Sequence, residues 1–186
     1  MRPATFIFLI AVGAQWLVPL AGVWQQEQIL TQGTIVRIRC AAPDPYDPLR
    51  GRFLAVQPEP TEFPRPAGMH GGKTTTVWAT FKTDDQGLST IASLSLEPVS
   101  GKTVIKLAAR LPRWKSDDEN VRLEWPVDRF YLNEGFAAEA DRRMAELFRD
   151  GKQPVAVLRV RDGRAVLEDL LLDGISVRQV ISQPLE

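Results

Sequence analysis

The chain begins with an apolar run. From Pro3 to Gln26 it carries no charged residue, and Thr5–Val23 is almost wholly apolar. About 20 such residues of helix, at ~1.5 Å rise each, cross the hydrocarbon core of a bilayer. Backbone polar groups in lipid must be satisfied internally, so the run predicts one transmembrane helix over 5–24, behind a short N-terminus 1–4. Trp24 suits the aromatic belt at the far interface. Arg2 is the only charged side chain before the run, and no Lys or Arg follows until Arg37. The bias places the N-terminus in the cytoplasm and the rest outside, in the periplasm where the envelope has two membranes. Two other readings stay open: a cleaved signal peptide, whose candidate sites Val12/Ala14 and Leu20/Gly22 are poor, and a buried helix of a soluble protein. Gln25–Leu30 continues the helix and Gly33 stops it, making 25–33 a juxtamembrane helix or linker.

Beyond Gly33 the period changes from helical to two. In Thr34–Ala41, Val36, Ile38 and Cys40 share one face and Arg37 and Arg39 the other, which predicts a half-buried strand. Arg52–Gln57, Thr74–Lys82, Leu88–Leu96, Thr103–Arg110, Arg122–Trp125 and Arg129–Leu132 read as further strands, with Thr103–Arg110 as the hairpin partner of Leu88–Leu96. Glu59–Gly72 and Trp114–Asn120 read as loops. Phe136–Arg149 is the one convincing soluble helix: Phe136, Ala140, Met144 and Leu147 recur at helical spacing and Gly151 ends it. Val155–Arg161 and Arg164–Leu172 flank Asp162-Gly163, a strong hairpin signal, and Asp173-Gly174 leads into a third strand, Ile175–Ile181. The expected class is α+β, mainly β: an N-terminal transmembrane helix, then an antiparallel β-sandwich or partly open barrel with one packed α-helix over 34–186.

Composition narrows the function. The 186 residues include 23 Lys+Arg and 23 Asp+Glu, giving zero net charge, so the basic excess of a nucleic-acid binder is missing. Cys40 is the only cysteine and His70 the only histidine. That removes intramolecular disulfides and multi-histidine or cysteine zinc sites, and limits any Ser-His-Asp triad to His70. Neither a metal nor a cofactor is expected. Gly71-Gly72-Lys73-Thr74 lacks the upstream glycine of a phosphate-binding loop and leads into a strand. Fourteen prolines and thirteen glycines cut the chain into short pieces, as a strand-rich domain requires.

The block Ala42-Pro43-Asp44-Pro45-Tyr46-Asp47-Pro48-Leu49-Arg50-Gly51-Arg52-Phe53 is the most distinctive. Each aspartate precedes a proline, which restricts it to extended geometry, while its carboxylate can bond the backbone two residues on. A rigid double turn that delivers Arg50 and Arg52 to a strand edge follows, with Gly51 allowing close backbone approach. Asp44-Pro45 and Leu49-Arg50-Gly51 resemble the stretch leading into the motif of the membrane-anchored GDYXXLXY family, named for Gly-Asp-Tyr-x-x-Leu-x-Tyr. Gly51 matches that motif and Phe53 stands near its first tyrosine. Arg52 replaces its aspartate, Val56 stands for its leucine, and Pro58 replaces its last tyrosine. Arg129-Phe130-Tyr131-Leu132-Asn133-Glu134-Gly135, followed by Glu139, resembles a second family element before the helix, and Asp162-Gly163-Arg164-Ala165 its C-terminal hairpin. The resemblance implies one N-terminal span and a role beside multi-spanning membrane proteins, and it carries over no catalytic residue.

Three functions remain in view. The first is an accessory subunit that meets a membrane partner through Asp44, Asp47, Arg50, Gly51, Arg52 and Phe53, with Tyr131, Asn133, Glu134 and Glu139 as a second candidate element. The second is a cell-envelope hydrolase using Asp44, Asp47 and Glu134, which must then converge in one pocket. The third is a small-ligand or lipid module lined by Trp78, Phe81, Trp114 and Trp125. For the carboxylates the plainer alternatives are turn chemistry, surface ion pairs and, at Glu134 and Glu139, complementing a helix dipole. For the aromatic residues, and for Cys40, it is core packing.

Overall fold

The computed structural model describes residues 3–42, 53–70, 74–111 and 119–180; within these, the side chains of residues 3–7, 9, 10, 134 and 137 are also left aside. The candidate residues Asp44, Asp47, Arg50, Gly51, Arg52 and Trp114 lie outside the described residues.

Helix α1 (Pro3–Gln32) covers both the expected span and the expected linker without a break, Pro19 included, and ends one residue before Gly33. Among the described residues, no helix is long and apolar enough to cross a membrane. Phe8, Trp16, Leu17, Val18, Leu20, Val23 and Trp24 are all exposed, whereas Ile29 near the end of α1 is buried.

Among the described residues, twelve strands follow: β1 (Thr34–Ala41), β2 (Phe53–Ala55), β3 (Gln57–Pro58), β4 (Glu62–Pro64), β5 (Thr75–Thr83), β6 (Ser89–Ser95), β7 (Val104–Arg110), β8 (Asn120–Glu124), β9 (Arg129–Tyr131), β10 (Val155–Arg161), β11 (Arg164–Leu172) and β12 (Ile175–Ser176). Helix α2 (Glu134–Arg149) separates β9 from β10, and the short α3 (Val177–Val180) follows β12. One sheet runs β12-β11-β10-β1-β3, another β4-β8-β7-β5-β6, and β2 pairs with β9 alone. All these pairings are antiparallel. The two large sheets meet at a corner, where the Lys106 N–H donates to the Gly163 carbonyl at 2.8 Å beside a parallel bridge between Ile105 and Gly163. The result is a nearly closed, barrel-like β domain.

One core fills it. Ile38, Leu158 and Leu170 from the first sheet join Val77, Ile105, Leu107 and Val121 from the second, all at 2% exposure or less. Burying such side chains is the dominant favourable term in folding. Helix α2 closes one side with Ala140, Met144 and Leu147, as its spacing implies. Asn133 caps it, its side-chain oxygen accepting from the Gly135 N–H at 3.1 Å.

Three expectations are corrected. First, β7 pairs with the opposite edge of β5 and not with β6. Strand β5 buries Val77, Ala79 and Thr80 and takes a neighbour on each side, while β6, rich in Ser and exposed at alternate positions, ends the sheet. Second, the loop Glu59–Gly72 contains β4, an edge strand on β8; Pro64 there, like Pro58 on the opposite sheet's edge, is tolerated because an edge need not donate on both sides. Third, Ile175–Ile181 is not one strand: it pairs for two residues and turns into α3, which seats Val177 in the core.

Candidate functional site

Two places draw together residues that are far apart in sequence. The first is the β2–β9 ribbon. Its register sets Phe53 opposite Tyr131, Leu54 opposite Phe130 and Ala55 opposite Arg129. Because side chains alternate along a strand, Leu54 and Phe130 point into the core at 0% and 3% exposure, and Phe53 and Tyr131 share the outer face. Their rings lie 6.1 Å apart at 60°, and the Arg129 guanidinium sits 4.9 Å from the Phe53 ring centroid. Tyr131 is 67% exposed, and Phe136 in the first turn of α2 is also exposed. The two candidate elements thus meet at Phe53 and Tyr131. The neighbouring motif positions do another job: Val56 and Pro58 are buried, Val56 donating to the Asp128 carbonyl at 2.8 Å and Pro58 lying opposite Cys40.

Within the second element, Asn133 is occupied as the α2 cap. Glu139 belongs to a surface ion cluster: Arg142 forks onto its two oxygens at 2.7 and 2.9 Å, and Arg143 adds a contact at 2.9 Å. The hydrogen bonds from Arg142, then Arg143, hold its carboxyl below the usual range.

The second place is the junction between α1 and the β10–β11 hairpin. Asp162 and Gly163 both take positive φ, 51° and 77°, which matches the twist of a tight hairpin. On the face of β10 opposite Leu158 and Val160, Arg159 and Arg161 turn toward α1. Arg161 donates to the side-chain oxygens of Gln28 at 3.0 Å and Gln32 at 2.6 Å, and Arg164 to that of Gln25. Arg159 reaches the Gly33 carbonyl at 3.2 Å and forks onto Glu168 at 2.7 and 3.1 Å. Glu168 is available because β11 bulges there: Leu167 opposes Leu158 and Asp169 opposes Val157, leaving Glu168 unmatched. An open cleft of about 570 Å³ runs beside the hairpin, bounded by Gln32, Trp78, Lys102, Arg161 and Gly163. A smaller crevice of about 390 Å³ lies between Trp24, Gln28, Arg161 and Arg164.

The family model described as GDYXXLXY protein matches residues 15–170. The chain belongs to this family. The match takes in the second half of α1, the β2–β9 ribbon, α2 and the β10–β11 hairpin, so the GDYXXLXY unit includes the helix–hairpin junction. No match was found among curated proteins, and none among solved structures.

Among the described residues of this GDYXXLXY chain, the aromatic candidates are dispersed, while Asp44, Asp47, Trp114 and the Glu134 side chain lie outside what is described. Phe81 stacks on Trp125 with ring centroids 6.4 Å apart, and the Trp125 indole donates to the Pro60 carbonyl at 3.2 Å. Trp78 instead lies under Gly163 at the corner, so these aromatic residues do not line one basin. Among the described residues, no group of three or more His, Cys, Asp or Glu is placed to hold a metal ion. Cys40 is 1% exposed, and burial pushes its thiol up from 9.0 to about 12. A maleimide at pH 8 is therefore expected to leave the native protein unmodified and to label one thiol per chain once denaturant is added. Native labelling would place the thiol at the surface. The contribution of Cys40 to stability is full below pH 9.0 and falls as pH rises toward about 12, because the unfolded thiol ionises first.

Proposed function

We propose that this chain is a single-pass, membrane-anchored domain standing outside the cytoplasmic membrane, where it acts as an accessory subunit of a membrane protein assembly. The observation that carries the partner surface is the pairing of Phe53 with Tyr131, which joins the family motif to the second candidate element and leaves an aromatic ring 67% exposed. Exposed tyrosine beside arginine is the side-chain chemistry that most often dominates binding energy at protein interfaces. The segment 44–52 leads directly into this ribbon, so Arg50 and Arg52 join the proposed contact by chain connectivity. The anchor rests on the charge-free stretch Pro3–Gln26, on the exposed apolar side chains along α1, and on the absence of Lys and Arg between Arg2 and Arg37.

The test is affinity purification of the full-length chain from membranes in mild detergent, with mass spectrometry. A multi-spanning partner near one-to-one is expected. Tyr131→Ala, and separately Arg50→Ala with Arg52→Ala, should each reduce its recovery at least about ten-fold, the scale of a ~1.4 kcal/mol contact, while the melting temperature is retained. A clean, partnerless protein would overturn the accessory role. Unchanged recovery in both variants would remove this surface from the interface.

A further inference from the structure

The proposed anchor gives the crevice between α1 and the hairpin a fixed depth, and the inference rests on that reading. Trp24 closes the apolar run. At ~1.5 Å per residue, Gln25 lies about 1.5 Å and Gln28 about 6 Å beyond it along the helix. The headgroup layer on each side of a bilayer is roughly 5–8 Å deep. Gln32 lies about 12 Å beyond Trp24, so Arg164, held at Gln25, stands at headgroup depth and Arg161, held between Gln28 and Gln32, at the outer edge of that layer.

Their present partners suit a replaceable ligand. Among the described residues, Arg164 donates to one neutral amide oxygen, and Arg161 to two, with the 87% exposed Asp162 carboxylate 3.4 Å away. Among the described residues the solvated Asp162 carboxylate pairs with Arg161 while Arg164 has an amide oxygen as its partner, so two guanidinium groups face one carboxylate at the crevice and about one positive charge is left unbalanced. Bonds from arginine to a phosphate are charge-assisted and bidentate, and roughly twice as strong as those to a neutral amide. Trp24 forms the apolar side of the same crevice, whose volume of about 390 Å³ admits a phosphate and its glycerol linkage. We propose that this crevice binds the phosphate of an anionic phospholipid headgroup, with Arg161 and Arg164 as its ligands and Trp24 against the first acyl carbons.

The test uses full-length protein, extracted in mild detergent and exposed to micelles of equal phosphatidylglycerol and phosphatidylcholine, with retained lipid identified by native mass spectrometry. Wild type is expected to retain phosphatidylglycerol over phosphatidylcholine by at least about five-fold. Arg161→Gln with Arg164→Gln should bring the ratio to parity, Arg164→Lys should give an intermediate ratio because it keeps the charge and loses the fork, and Arg122→Gln on the distant β8 should leave it unchanged. Circular dichroism melts identify a double variant that fails to fold; in that case the ratio for Arg164→Lys decides. Equal retention of both lipids by wild type, or an unchanged preference in Arg164→Lys and the folded double variant, overturns the site. Loss of the lipid preference on adding millimolar inorganic phosphate makes the ligand a free anion and overturns it as well. Alkaline carbonate extraction of the same membranes separates the two readings. Protein that stays in the pellet yet shows no preference removes the lipid site alone, and protein that is released removes the anchor and the site together.

Discussion

Replacing Gly163 with valine is expected to destabilise the domain by about 4 kcal/mol. Two penalties combine. Gly163 has φ +77°, a conformation that is strained for any L side chain and most for a β-branched one. A Cβ added there would also lie 2.2 Å from Cζ3 and 2.9 Å from Cη2 of the Trp78 ring. Trp78 is in β5, between β7 and β6, directly opposite Lys106, whose N–H donates to the Gly163 carbonyl, so moving the indole aside disturbs that corner. For a chain of this size, 4 kcal/mol corresponds to a fall in Tm of roughly 10 °C. The contributions are separable. Gly174 has φ +83° with nothing within 4 Å of a built Cβ, so Gly174→Ala reports backbone strain alone, about 1 kcal/mol. Gly163→Ala should cost clearly more, and combining it with Trp78→Ala should recover most of the excess. Near-UV circular dichroism melts of the full-length protein measure all four. Equal losses at Gly163 and Gly174, with no recovery in the double variant, would refute the close packing of hairpin on indole.

That corner shows what the sequence makes visible and what it hides. Asp162-Gly163 and Asp173-Gly174 are readable because positive φ at two successive positions selects few residues. The alternation of β1 and the spacing of α2 are readable for a similar reason: one face of each is covered and the other wet. Strand partners are less visible. Adjacent strands often form a hairpin, yet the chain passes from β6 across β5 and places β7 on the other edge of β5, because pairing is settled by which edge needs cover. Trp78 as the floor beneath Gly163 left no local trace. Neither did the Gln25–Arg164 and Gln28–Arg161 contacts, which join ordinary polar residues from opposite ends of the chain. At the candidate site, Phe53 and Tyr131 stood out individually through the family resemblance, but their direct opposition is a fact of register. Pro58, at the motif's last position, and Val56 before it are core residues, so part of a motif with a surface-facing reading serves to close the fold. Glu139 reads as a dipole partner for α2, and its ion pairs with Arg142 and Arg143 one turn on come from spacing along the helix.

Placing arginine at both Ala14 and Leu17 is expected to abolish stable membrane insertion. These positions lie in the middle of Thr5–Val23, where each arginine disfavours insertion by roughly 3 kcal/mol on biological scales. The pair therefore opposes it by about 6 kcal/mol, enough to shift an insertion equilibrium by some four orders of magnitude. Snorkelling relieves a charge near a helix end but is least effective at the centre. Leu17 is 66% exposed, so an arginine there meets no protein partner within the described part of the chain that could shelter it. The folded domain should be spared, since its own contacts with α1 begin further on, at Gln25, Gln28 and the buried Ile29. Gln26→Arg, which lies beyond the apolar run, serves as the control and should stay embedded. Carbonate extraction reads the outcome: wild type and Gln26→Arg in the pellet, the Ala14→Arg, Leu17→Arg protein in the supernatant. Protease added to intact spheroplasts then reads the side, with cleavage of the C-terminal domain expected for wild type and protection expected for the double variant. A double variant that remains in the pellet and exposes its domain would mean that α1 is not what holds the protein to the membrane. The Arg161–Arg164 crevice would then lose the depth that assigns it to headgroups, whereas the Phe53–Tyr131 surface would keep its standing, because it depends on the ribbon and not on the anchor.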